Sequence, residues 1–149
     1  MSKTKVVARN KRARHDYAIL ETIEAGLVLL GGEVKSIRDG RVSIAEAFGQ
    51  FKGGELFLRD MHIPEYSHAG YAPHEPRRPR KLLLHGRELN KLETAVTRGG
   101  LTMVPLQLYF LNGRAKVEMA LVRGRKRHDK REALKGKAAQ QEIRRATGH

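Results

Sequence analysis

Residues 101–122 read LTMVPLQLYFLNGRAKVEMALV, two apolar runs on either side of Asn112-Gly113. Asn-Gly between hydrophobic runs is the pair that a two-residue type I′ turn requires, because both central residues must take positive φ. The stretch therefore predicts a long antiparallel hairpin, and the rest of the body is read around it. Just upstream, HGRELNKLETAVTRGG (85–100) places Leu89, Leu92 and Val96 at helical spacing and ends in Gly99-Gly100, an amphipathic helix with a glycine stop. Residues 64–80 hold four of the five prolines (Pro64, Pro73, Pro76, Pro79) and Gly70, the composition of a long loop. VSIAEAFGQFKGGELFLRDMHI (42–63) is strand-like around Gly53-Gly54, a second hairpin signal, with Phe48, Phe51, Leu56 and Leu58 as candidate core.

Farther out, GGEVKSIRDGR (31–41) switches to helical period through Val34 and Ile37 and stops at Gly40. YAILETIEAGLVLL (17–30) reads as a strand, a turn at EAG (24–26), and a second, buried strand in LVLL. The sum is six or so short, mostly antiparallel strands with one short and one longer helix. That is too few strands for a sandwich. The expected fold is mainly β: a small antiparallel closed barrel of the oligonucleotide-binding (OB) type with two or three helices. An open α+β sheet is the alternative.

Charge divides the 149 residues into three. Residues 1–14 carry six basic and no acidic side chains, residues 15–122 carry 14 basic and 13 acidic, and residues 123–149 carry ten basic and three acidic, so charges of +6, +1 and +7 make up the total of +14. The expected organisation is a basic N-terminal arm (1–14), a barrel domain (15–122) and a basic C-terminal tail (123–149), whose only large aliphatics are Leu134 and Ile143. Arms of this sign neutralise a polyanion. Neither has the apolar face that a membrane surface requires. There is no cysteine, which excludes disulfides and thiolate metal sites. No apolar run approaches the ~20 residues that span a bilayer, and no secretory signal opens the chain, so a cytosolic protein is expected.

Chemistry is sparse. None of the four serines lies in a nucleophile-elbow pattern, and there is no phosphate-binding glycine loop. His62, His68 and His74 are spaced too widely for an ordinary metal site. Glu24, Glu33 and Asp39 read as ion-pair partners of Lys35, Arg38 and Arg41. No enzyme, metal site or cofactor is indicated. RNA-binding signals are better. NKRARHDY (10–17) joins a basic cluster to the rings of His15 and Tyr17, which can stack on bases, although Tyr17 can equally open the first strand. RRPRK (77–81) offers guanidinium forks on the long loop, and GRKRHDKRE (124–132) is a dense run of phosphate-seeking charge.

NKRARHDY (10–17), EAGLVLLGGEVKSIRDGRV (24–42), RKLLLHGREL (80–89) and LTMVPLQLYFLNGRAKVEMALVRGRKRHDKRE (101–132) together resemble the SsrA-binding protein family, also called small protein B, in order from about residue 8 to 135. The resemblance implies a bacterial, cytoplasmic, OB-fold protein that binds the tRNA-like domain of transfer-messenger RNA. With that RNA it rescues stalled ribosomes by trans-translation. It implies contact with the ribosome, chiefly small-subunit RNA, and with alanyl-tRNA synthetase and elongation factor Tu only indirectly through the RNA.

By the same resemblance, Asn10, Lys11, Arg12, His15 and Tyr17 match an N-terminal RNA-contact block. Glu24, Leu83 and Lys116 match further positions tied to RNA recognition. At Glu24 a carboxylate can accept hydrogen bonds from guanine N–H groups or order a neighbouring arginine. His128, Asp129, Lys130 and Arg131 match the start of the tail that reads the decoding centre and the empty messenger channel. The tail is expected to be disordered when free and partly helical when bound. GKAAQQEIRRATGH (136–149) departs from the family pattern: it lacks the usual large aromatic and begins with Gly136. The rival readings are a general single-strand RNA-binding barrel, which needs several exposed aromatics where this chain has four Tyr and four Phe in all, and a structural ribosomal protein.

Overall fold

The computed structural model describes residues 4–66 and 70–124. Among them are seven strands and three helices: β1 (Thr4–Arg9), α1 (Ala13–Asp16), β2 (Tyr17–Leu27), α2 (Gly31–Arg38), β3 (Phe48–Lys52), β4 (Glu55–Arg59), β5 (Arg80–Leu83), α3 (Gly86–Gly99), β6 (Thr102–Leu111) and β7 (Arg114–Gly124). The β6–β7 hairpin forms as expected, with Leu111 opposite Arg114 and positive φ at Asn112 (51°) and Gly113 (84°). The Gly53-Gly54 hairpin, α2 and α3 also lie where sequence places them, and Gly100 closes α3 at φ 67°.

All pairings are antiparallel, and the strands close into a ring. β7 pairs with β6 and β2, β2 with β5, β5 with β4, β4 with β3, and β3 returns to β6 through Gly49 opposite Met103. This is an OB-like arrangement. Leu56, Leu58, Met61, Ile63, Leu82, Met103, Leu108, Val117 and Met119 fill its interior, and Leu92 of α3 joins them. Phe51 packs against this core part-buried, whereas Phe48 lines a groove at the rim. A second, smaller cluster lies on the other face of the hairpin: Val104, Leu106, Ala120 and Val122 beneath Ala13 of α1, with Tyr17 and Ile19 packed alongside.

Three readings change. First, the chain is already in the sheet from Thr4: β1 pairs with β6 from Thr4–Leu111 to Arg9–Gln107, and β7 runs to Gly124 opposite Tyr17. The charge divisions at 14/15 and 122/123 are therefore not the limits of the sheet. Second, EAG is no turn. β2 continues through Glu24, Ala25 and Gly26, still paired with β7. The glycine lies in the strand between two side chains: a Cβ on Gly26 would lie at ordinary contact distance, 3.5 Å from Leu83 Cβ and 3.7 Å from Lys116 Nζ. LVLL is accordingly not a separate buried strand. Leu27 and Leu29 face the core, while Val28 and Leu30 are 45 % and 47 % exposed.

Third, RRPRK is not a phosphate-facing loop. Arg80 is fully buried and gives Nε to Glu33 Oε2 (2.8 Å) and NH1 to Met61 O (2.6 Å). Arg78 NH2 donates to Glu33 Oε1 (2.7 Å), and Lys81 pairs with Glu55. Glu33 thus takes Arg78 and Arg80 as partners, not Lys35, Arg38 and Arg41. Burial alone would raise the Glu33 carboxyl, but hydrogen bonds from Arg78, the Leu30 amide and Arg80, with the charge of Arg80, hold it below its ordinary 4.5.

Two outcomes follow from this packing. Gly49→Ala is expected to cost roughly 1–3 kcal/mol in denaturant unfolding, because a Cβ there would sit 2.9 Å from Met103 Cβ, at the one register pair that joins β3 to β6. Glu33→Gln should lower stability at pH 7 by about 3–5 kcal/mol, since it strands the buried Arg80 guanidinium. A carboxyl with a lowered folded pKa contributes fully above its unfolded value of 4.5 and loses that contribution as pH falls through the folded value. The gap between wild type and Glu33→Gln should therefore be constant near neutrality and narrow below about pH 4; a gap independent of pH would refute the ionised assignment.

Candidate nucleic-acid interface

Cross-strand partners in an antiparallel sheet share a face. With Val117 and Leu108 turned into the core, their neighbours turn outward, and two rows of side chains cross the outside of the sheet. One runs Arg9, Gln107, Glu118, Glu24; the next runs Val6, Tyr109, Lys116, Gly26, Leu83. Glu24, Leu83 and Lys116, which lie far apart in sequence, thus meet around Gly26. Leu83 is 51 % exposed.

Glu24 and Glu118 stand directly opposite each other, an unfavourable like-charge pair. Each is relieved by a neutral donor from β6: the Tyr109 hydroxyl donates to Glu24 Oε2, and Gln107 Nε2 donates to Glu118 Oε1 at 3.2 Å. Burial, the Glu24 hydrogen bond and the two carboxylate charges push the Tyr109 phenol well above its ordinary value, so it stays a donor at any physiological pH. One oxygen of each carboxylate has no hydrogen-bond partner among the described residues.

The N-terminal block differs in how its residues are held. Asn10 is tied to the sheet: its backbone amide donates to Leu106 O (2.8 Å) and its Nδ2 to Pro105 O (3.1 Å). Tyr17 is part-buried against the cluster under α1. Lys11, Arg12, Arg14 and His15 are exposed. Arg12 and His15 approach Asp16 at 3.8 and 3.1 Å, surface contacts of little weight. Arg9, Lys11 and Arg14 line a groove of about 260 Å³ with Gln107 and Glu118, which joins the basic block to the outward rows. His128, Asp129, Lys130 and Arg131 lie outside the described residues.

Sequence reasoning did not single out Arg9, Gln107, Tyr109 and Glu118, which lie on this face. The signal was available in KVE (116–118), where an apolar residue inside two charged ones marks a strand with one solvated face. Of the three histidines expected to be too widely spaced for metal, His62 lies in a bridge to Ser43, His74 is buried with Nε2 donating to Ile63 O (2.9 Å), and His68 lies outside the described residues. Among the described residues no group of three or more His, Cys, Asp or Glu is placed to hold a metal ion, and no helix is long and apolar enough to cross a membrane.

The family model described as SmpB protein matches residues 7–149. An SsrA-binding protein of Acidothermus cellulolyticus is 56 % identical over 144 residues, covering 97 % of this chain and 91 % of that protein. One from Mycobacterium leprae is 53 % identical over 143 residues, covering 96 % and 89 %. A chain of the solved structure "tmRNA-SmpB: a journey to the center of the bacterial ribosome" matches with TM-score 0.67 and 50 % identity, over 85 % of this chain and 92 % of that one. The chain belongs to the SmpB protein family.

Replacing Lys11, Arg12 and Lys116 together with alanine is expected to weaken RNA binding and to flatten its salt dependence. The slope of log affinity against log salt should fall by about 0.7–0.9 for each phosphate that is no longer neutralised. Titrations across a salt series measure it, and an unchanged slope would place the interface on another face.

Proposed function

We propose that this SmpB-family chain binds the tRNA-like domain of transfer-messenger RNA and carries it to stalled ribosomes for rescue by trans-translation. The observation that supports the reading best is the outward face itself. Glu24, Leu83 and Lys116 converge around Gly26, beside the exposed cations of α1, in a chain half identical to one from a tmRNA–SmpB structure. The role is one of binding and delivery in the cytoplasm, without a catalytic step of its own. A general single-strand RNA-binding barrel is less well supported: among the described aromatics only Tyr71 counts as exposed, too few for a stacking platform.

On this reading the rings and cations of the N-terminal block, His15 with Lys11 and Arg12, meet RNA backbone and bases. Glu24 accepts hydrogen bonds from base N–H groups, and Lys116 meets phosphate. Alanyl-tRNA synthetase and elongation factor Tu are reached only through the RNA. The tail, with its +7 charge and His128, Asp129, Lys130 and Arg131 near its start, serves a second polyanion, the decoding centre and empty messenger channel of the small subunit. In helical form residues 130–146 would reach roughly 25 Å, so an intact message would exclude them.

A stop codon after Gly124 keeps every described strand, β7 (Arg114–Gly124) included. Removing residues 125–149 is expected to leave binding to the tRNA-like RNA within a few-fold and to abolish tagging of peptides on stalled ribosomes. Replacing His128, Asp129, Lys130 and Arg131 together should reproduce most of that loss. A binding titration and a tagging assay on the same truncated protein decide it. Loss of RNA affinity would make the tail a clamp on the RNA, and survival of both activities would make it an idle appendage.

A further inference from the structure

Past the Lys116 end of the outward rows the sheet opens into a groove of about 350 Å³ between the end of β2, α2 and the β6–β7 turn. Leu83, Val34 and Phe110 line it together with Gly26, and Arg114 and Lys116 bring it two cations. The Arg38 guanidinium lies over the Phe110 ring, 5.4 Å from its centroid. Neither Arg114 nor Lys116 makes an ion pair among the described residues. The groove thus combines apolar side chains, small residues (Gly26, Gly113, Ala115) and two cations that form no ion pair among the described residues.

We propose that this groove takes one unstacked nucleobase of the bound RNA, with Arg114 and Lys116 on the phosphates that flank it. The assignment rests on the functional reading above and deepens it, because the groove shares Gly26, Leu83 and Lys116 with the outward rows. A base fits better than a protein side chain for two reasons. Proteins read RNA at loops whose unstacked bases enter apolar slots. And a base necessarily brings two phosphates with it, and this groove carries two cations.

The test pairs changes in protein and RNA. A Cβ at Gly26 would meet Leu83 and Lys116 at 3.5–3.7 Å, ordinary contact distances, so Gly26→Ala should fold and unfold like wild type while narrowing the slot. Unpaired nucleotides of the tRNA-like RNA are replaced one at a time by abasic residues. One abasic position is expected to weaken wild-type binding at least about fivefold, the effect of losing one stacked base, and to weaken Gly26→Ala little or not at all. Gly26→Ala should itself bind the intact RNA several-fold more weakly with an unchanged salt slope, whereas Arg114→Gln should lower that slope by about 0.7–0.9. Wild-type affinity for the intact RNA in both variants would overturn the assignment, as would abasic penalties that are the same in wild type and Gly26→Ala. Unchanged RNA binding with lost co-sedimentation on ribosomes would also overturn it and assign the groove to a ribosomal component. If wild-type protein failed to bind this RNA at all, the functional reading would fall first and the groove assignment with it.

Discussion

A single buried carboxylate organises one end of the molecule. Glu33 and Arg80 are both wholly inside, and Glu33 is held by Arg80, by Arg78 and by the Leu30 amide. Such a pair adds little net stability against an apolar substitute, because removing two charges from water costs about as much as their attraction returns. Its effect is positional. Either charge alone would be stranded in the core, so arrangements that part α2 from β5 are excluded. Ser36 Oγ donating to Pro64 O (2.7 Å) and Ile63 N to Pro76 O (2.9 Å) bind the proline-rich segment to the same corner. The consequence reaches the surface: with β5 fixed, Leu83 stands beside Gly26, and both the outward rows and the groove have their far wall.

At the other end one bulge separates core from interface. β6 carries an extra residue, Leu106, between Pro105 opposite Met119 and Gln107 opposite Glu118. Up to and including it, the residues Val104 and Leu106, with Ala120 and Val122 of β7, pack with Ala13 of α1. After it, the outward residues are Gln107, Tyr109, Glu118 and Lys116, none of which belongs to the cluster under α1. Pro105 cannot donate to a neighbouring strand, and bulges are where a sheet tolerates proline. Asn10 bonds the Pro105 and Leu106 carbonyls left there, and so turns the chain from β1 into α1. The exposed cations of α1 are placed beside the polar rows by this backbone constraint, not by attraction between charges.

The hairpins and helices were legible because their signals are local: Asn112-Gly113, Gly53-Gly54, and the spacing of Leu89, Leu92 and Val96. What failed was non-local. β1 is a strand because β6 offers it an edge, which nothing in TKVVAR (4–9) reveals beside its charge. EAG contains a glycine, the usual turn signal, yet there the glycine is an ordinary strand residue between side chains of two neighbouring strands. LVLL is apolar at every position, so alternation could not show that Val28 and Leu30 face solvent. RRPRK looked like surface because four of its five residues are basic, and only the fold discloses that Glu33 waits for two of them. For the site, resemblance supplied Glu24, Leu83 and Lys116 singly, and their convergence required the register of three strands.

The least expected feature of this face is its acidity. A phosphate about 4 Å from an exposed carboxylate is repelled by only about 1 kcal/mol in water, but by more wherever binding excludes solvent. Two carboxylates held side by side therefore steer phosphates away from the centre of the rows and toward Lys116, Arg9 and the α1 cations at their edges. The same two groups, each with one oxygen engaged by Tyr109 or Gln107, present their remaining oxygens as fixed acceptors. Groups that approach the centre favourably are N–H donors, which nucleobases carry and phosphates do not. On the proposed function, cations at the margin would supply affinity with little regard to sequence, and paired acceptors at the centre would tell a base edge from backbone. The neutral donors matter to this division: an arginine in place of Tyr109 would neutralise Glu24 and turn the centre of the face into one more phosphate site.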